Sequence, residues 1–233
     1  MLSGGHDYPV KFIRTGFANA LGQPLVVTCD PEDPALLVWD VLAGQCVSRL
    51  RGHGADSSTV IVAVTGRLVD PLAAGTASQL VCSVDNKGVA IVWDVVRGVM
   101  HTEMPVVEGG GDGDLPSTPP TAAVQVLRIG GAQQALAVGY ASGGVRVWCM
   151  DTGTCVRALR AYINTGARCV SAPVAALSWA VGRSQIAVAH DDGVLRLWDT
   201  EMGTCRLSST CKTVDAVFHV HGVLCALQTP WNN

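Results

Sequence analysis

The residues most able to do chemistry stand in a few short stretches. In "VRVWCMDTGTC", Val145 to Cys155, two thiols, Cys149 and Cys155, flank Trp148, and paired thiolates bind soft metals or exchange disulfides. In "FHVHG", His219 and His221 share one face of a strand, as two imidazole ligands of a metal would, with no third ligand evident. His190 and Asp191 in "AHDDG" suggest an acid-base pair. "EGGGDGD", Glu108 to Asp114, is glycine-rich and acidic, yet it has neither the lysine of a phosphate loop nor the full ligand ladder of a calcium loop. It reads as a flexible loop. The nine cysteines, Cys29, Cys46, Cys82, Cys149, Cys155, Cys169, Cys205, Cys211 and Cys225, form no CxxC pair. An odd number scattered through apolar runs such as "LVVTCD" and "QLVCSV" reads as small buried hydrophobes in a reducing compartment, with no metal and no cofactor.

The elements that must carry these residues come from an internal repeat. "PALLVWDVLAGQCV", "GVAIVWDVVRGVMH", "GGVRVWCMDTGTCV" and "GVLRLWDTEMGTCR" align on Trp39, Trp93, Trp148 and Trp198, at spacings of 54, 55 and 50 residues. Five residues after each tryptophan stands Gly44, Gly98, Gly153 or Gly203, as a tight turn with positive φ requires. Five residues before it stands Pro34, Gly88, Gly143 or Gly193. Each tryptophan therefore sits on a short Val/Ile/Leu-rich strand between turns. Cys46, Met100, Cys155 and Cys205 share the next column, an apolar position of the following strand. Cys149 occupies the column of Asp40, Asp94 and Asp199 and points away from Trp148. These columns turn the opening pair of thiols into strand and turn positions of one repeat. Trp231 follows Pro230 with no apolar strand before it and is no fifth core tryptophan.

With Gly5-His6 leading to Trp39-Asp40 and Gly52-His53 leading to Trp93-Asp94, the chain resembles the WD-repeat family along nearly its whole length. That resemblance implies an all-β fold, a WD-repeat β-propeller of four-stranded antiparallel blades. The blades are expected at residues 5–53, 54–106, 122–163 and 172–211, with a partial blade at 212–229 and a flexible inter-blade loop at 107–121. About 4.5 blades imply an incomplete ring whose remaining blades come from missing sequence or another chain; a tight five-blade closure is the alternative. The resemblance also implies a buried hydrogen-bond chain in each blade. Blade one offers His6, Asp33 and Trp39 with Thr28 as hydroxyl; blade two offers His53, Trp93 and Ser83, with Asp85 eight residues before the tryptophan in place of six. Blade three departs most, with Trp148, Ser142 at the aspartate position and no Gly-His. Blade four has Asp192 and Trp198, with "RAYI" replacing Gly-His. Loop residues Asp112, Asp114, Tyr162 and Arg168 are the candidate partner-binding rim.

Charge and composition bound the function. A formal net charge of -3 lacks the concentrated basic excess of a nucleic-acid domain, so no nucleic acid is expected. No apolar run approaches the about 20 residues of a membrane span, and "MLSGGHDYPV" lacks the pattern of a signal peptide, so the expectation is cytoplasmic, with the nucleus as the other compartment. With 48% hydrophobic and 15% charged residues, the chain can bury a core. The expected role is a non-enzymatic protein-protein interaction scaffold, its partners other proteins. A substrate- or peptide-recognition module such as a ubiquitin-ligase adaptor is the alternative, and an enzyme with a site in the propeller channel the remote one.

Overall fold

The computed structural model describes residues 5–6, 9–30, 33–54, 58–65, 68–69, 79–106, 118–129, 132–150, 152–159, 172–180, 184–210, 216–220 and 223–227. Every regular element among them is a strand, in antiparallel sheets whose neighbours are consecutive in sequence except where β5 and β6 both pair β7. Two compact units, Met1–Pro105 and Val106–Asn233, divide the chain.

In the first unit β1 (Phe12–Ala18), β2 (Pro24–Cys29), β3 (Ala35–Asp40) and β4 (Gln45–Arg51) form one sheet in that order. The second sheet comprises β5 (Ile61–Val64), β6 (Leu68–Val69), β7 (Gln79–Asp85), β8 (Val89–Asp94) and β9 (Val99–Pro105). Its path is β5-β7-β8-β9, with β6 also pairing β7, so two short pieces share the first position of the sheet. In the second unit β10 (Pro120–Ile129), β11 (Ala132–Tyr140), β12 (Val145–Cys149) and β13 (Cys155–Leu159) make one blade. The next blade is β14 (Val174–Ala180), β15 (Gln185–His190), β16 (Val194–Asp199) and β17 (Thr204–Thr210). β18 (Ala216–Val220) and β19 (Val223–Leu227) form a two-stranded sheet among the described residues. The fold is thus all-β, with four blade-like sheets and a two-stranded fifth among the described residues.

The repeat columns map onto one local geometry. The register slips by a residue just before every aligned tryptophan, between Val38 and Trp39, Val92 and Trp93, Val147 and Trp148, and Leu197 and Trp198. Such a bulge turns the strand and re-aims the indole. The turn that follows closes on Gly44, Gly98, Gly153 and Gly203, all at φ 67 or 69, where any other residue would be strained.

Each unit has its own core. In the first, Leu25, Val27, Leu36, Val38, Leu50, Ile61, Ile91 and Trp93 cluster; in the second, Ala135, Ala137, Val145, Val147, Val174, Ile186, Val188 and Trp198 do. Burying each Val, Leu or Ile contributes about 1.5–3 kcal/mol relative to exposure. The blades of the second unit approach closely at Gly139, where a Cβ would lie 2.4 Å from Val174 Cγ1. Thr121 Oγ1 donates to Val174 O at 2.7 Å across the same seam.

The cysteines correct one expectation. Cys29, Cys82 and Cys149 are buried, but Cys46, Cys155 and Cys205 are exposed. The exposed three stand on β4, β13 and β17, the last strand of each sheet, opposite the bulged tryptophans. An outermost strand keeps a wet side, so an apolar column there need not be core.

Candidate functional site

Among the described residues His53, His190, Asp30, Asp85 and the four aligned tryptophans are buried, and the second blade shows what occupies them. His53 Nε2 and Ser83 Oγ are 2.7 Å apart, and Trp93 Nε1 donates to the same hydroxyl at 2.8 Å. On its other side His53 Nδ1 is 2.9 Å from Asp85 Oδ2. With Ser83 and Asp85 at 1% exposure or less, the chain from carboxylate to indole is dry, and every link satisfies a group whose burial alone would be costly. Burial would raise the Asp85 carboxyl, but bonds from His53 and from the Val89 and Lys87 backbone amides outweigh it and hold the group below the usual carboxylate range.

Asp85 thus stands opposite the imidazole, eight residues before the tryptophan, and strand register transfers that position to the other blades. Ser83 pairs with Ile91, Thr28 with Leu37, Val138 with Arg146 and Val188 with Arg196. Two residues beyond each first partner lie Asp85, Asp30, Tyr140 and His190. All four are buried.

The first blade keeps the relay: His6 Nε2 is 2.7 Å from Thr28 Oγ1, which accepts from Trp39 Nε1 at 2.7 Å. Its buried carboxylate at the repeat position is Asp30. Asp33, read from the sequence as the aspartate, sits outside the relay and faces the Arg49 guanidinium at 3.9 Å. A hairpin one residue longer than that of blade two moves the aspartate to nine residues before the tryptophan.

The third blade replaces the relay with one side chain. Trp148 Nε1 donates to Tyr140 Oη at 3.0 Å, and that hydroxyl donates to Val106 O at 2.9 Å. Ser142 is exposed and accepts the Gly144 amide of its own turn, so the buried position falls to Tyr140. In the fourth blade Asp192 is likewise exposed, accepting Val194 N of its own turn at 3.1 Å. His190 takes the buried position instead, its Nδ1 2.9 Å from Ala172 O, and desolvation lowers its basicity. The proposed acid-base pair therefore separates: His190 is 2% exposed, while Asp191 is on the surface.

A second repeated device caps the turns. Asp40 Oδ1 accepts the Leu42 and Ala43 amides, Asp94 Oδ1 those of Val96 and Arg97, and Asp199 Oδ1 those of Glu201 and Met202. The Met202 amide, then Arg206, whose guanidinium lies 2.6 Å from Oδ2, hold the Asp199 carboxyl below its ordinary value. Cys149 stands in this column without an acceptor of that kind.

Other sequence candidates resolve unevenly. Burial pushes the Cys29 and Cys82 thiols up to about 12, which keeps them protonated and poor nucleophiles. Among the described residues no three His, Cys, Asp or Glu side chains gather as a metal site, and no helix is long and apolar enough to cross a membrane. His219 lies on β18, but its side chain, His221, and the rim candidates Asp112, Asp114, Tyr162 and Arg168 lie outside the described residues, as do Cys169 and Cys211. Tyr140 and Asp30 were missed, and the column of Asp40, Asp94 and Asp199 was seen without its capping role. Counting eight residues back from each tryptophan would have found Tyr140 and His190.

The repeated antiparallel blades with their buried indole networks fit a WD-repeat propeller, a class of protein-interaction module. No family model matches the chain. A stretch of 68 residues is 35% identical to nuclear distribution protein PAC1-2 of Uncinocarpus reesii, a WD-repeat protein, covering 28% of this chain and 15% of that one.

Proposed function

We propose that the chain is a non-enzymatic scaffold that holds other proteins in a larger cytoplasmic assembly. One observation carries the reading: among the described residues the Trp93–Ser83–His53–Asp85 side chains bond one another inside their blade, while the outer strands present exposed side chains. A rigid interior with variable exposed edges suits binding better than turnover. The relative's name, nuclear distribution protein, favours a role through partners. Remaining blades supplied by further sequence or another chain belong to the same proposal, as do Asp112, Asp114, Tyr162 and Arg168 as rim contacts.

Affinity purification of the full-length protein, with identification of the bound chains, is the test. Recovery of one stable complex is expected. Ubiquitin-ligase subunits would replace the scaffold with a substrate adaptor, and turnover of a small molecule without any partner would overturn both.

A further inference from the structure

Within the second unit a groove of about 450 Å³ runs between Cys155–Ala158 of β13 and the Glu201–Gly203 turn of the next blade. The first unit shows the same seam closed. Ser48 and Arg157 are equivalent by register, pairing with Val38 and Val147, and Gly98 and Gly203 are equivalent turn glycines. A Cβ on Gly98 would lie 2.6 Å from Ser48 Oγ, whereas one on Gly203 would meet nothing within 4 Å. Exchange of the small serine for a long cationic side chain accompanies the open seam.

The groove has a defined chemistry. Arg157 Nη2 donates to the Glu201 backbone carbonyl at 3.2 Å, and no carboxylate among the described residues pairs with the guanidinium. The Glu201 carboxylate is engaged by Ser184 Oγ at 2.8 Å. Met202 is 71% exposed, giving the slot an apolar lip. Among the described residues β13 ends its sheet, so no described strand pairs with its outer edge.

We propose that this seam binds an extended, acidic segment of a partner protein, which adds along β13, places a carboxylate on Arg157 and covers Met202 with an apolar side chain. This deepens the scaffold reading and rests on it, naming one contact surface and the chemistry of what it takes.

The test is fluorescence anisotropy with a labelled heptapeptide of alternating valine and glutamate, against the same peptide with lysine for glutamate. Wild-type protein should bind the glutamate peptide, more weakly as salt rises, and reject the lysine one. Arg157→Ser, which installs the residue found at Ser48, should weaken binding about fivefold, the size expected of an exposed charge pair, and Arg97→Ser in the first unit should not. Equal binding of both peptides, or no change with Arg157→Ser, overturns the proposal. If that variant folds poorly, alkylation of the wild type serves: bound peptide should protect Cys155 but not Cys46 or Cys205, and no protection overturns the assignment. Sedimentation of the wild type as a dimer that Arg157→Ser dissolves would give the seam to a second copy and also overturn it. A stable complex recovered equally well with Arg157→Ser would sink the seam alone and leave the scaffold reading standing.

Discussion

Tyr140 shows most plainly how a single side chain replaces a relay. Its hydroxyl accepts a hydrogen bond from the Trp148 indole and donates one to Val106 O, so removing it strands two buried groups at once. Tyr140→Phe should therefore cost about 1–3 kcal/mol, read as a lower thermal midpoint, and an unchanged midpoint would show that the hydroxyl is dispensable. Cys149→Asp should run the other way. The aspartates of its column are 3–9% exposed and Cys149 is 7% exposed, so the carboxylate would enter an environment that already tolerates it in three turns. It would accept two turn amides that the thiol cannot serve well, a gain of about 0.5–1.5 kcal/mol that denaturant titration can resolve. Merely neutral behaviour, the expectation from strand alternation alone, would deny the capping role.

At the scale of strands and turns, the bulge before each tryptophan and the positive-φ glycine after it work as one module. The bulge places the indole; the turn aspartate and glycine return the chain as the outermost strand. Contact between neighbouring blades is then a matter of small residues at the seams. Gly139 is the tightest described case, and Gly139→Ala should force Val174 from its place and cost about 1–3 kcal/mol, as overpacking does. Val174→Ala in the same chain should recover part of the loss, and lack of any rescue would mean that the glycine is needed for another reason. The position could not be found from the repeat alone, because the contact joins strands that no alignment of one blade to another brings together.

For the whole molecule, buried titratable groups predict acid sensitivity. His190 has a folded pKa below its unfolded one, so the unfolded chain takes up a proton first as pH falls below about 6.5, and stability declines from there down to the folded value. Asp85 is depressed as well; its contribution is complete above about pH 4 and is lost as pH falls through its folded value. Both effects lower stability on acidification. Thermal melts from pH 7.5 to 5.5 should slope downward in the wild type and flatten in His190→Gln, and parallel slopes would remove His190 as the cause.

The sequence by itself determined the all-β class, the four repeats, the turn glycines and the Trp, His and hydroxyl members of the first two networks. The class, the repeats and the glycines depend on the 2-residue alternation of strands and on φ requirements, local properties that one stretch of chain displays unaided, while the network members were implied by the resemblance to the WD-repeat family. Tertiary structure decided the rest: that Asp30 and not Asp33, and Tyr140 and not Ser142, fill the buried position, that the tryptophan-opposed cysteines face solvent, and that one seam is open where its equivalent is shut. Each of those outcomes depends on hairpin length, strand register or contact between blades. Which polar atom is desolvated beside which partner is fixed only when separate strands meet.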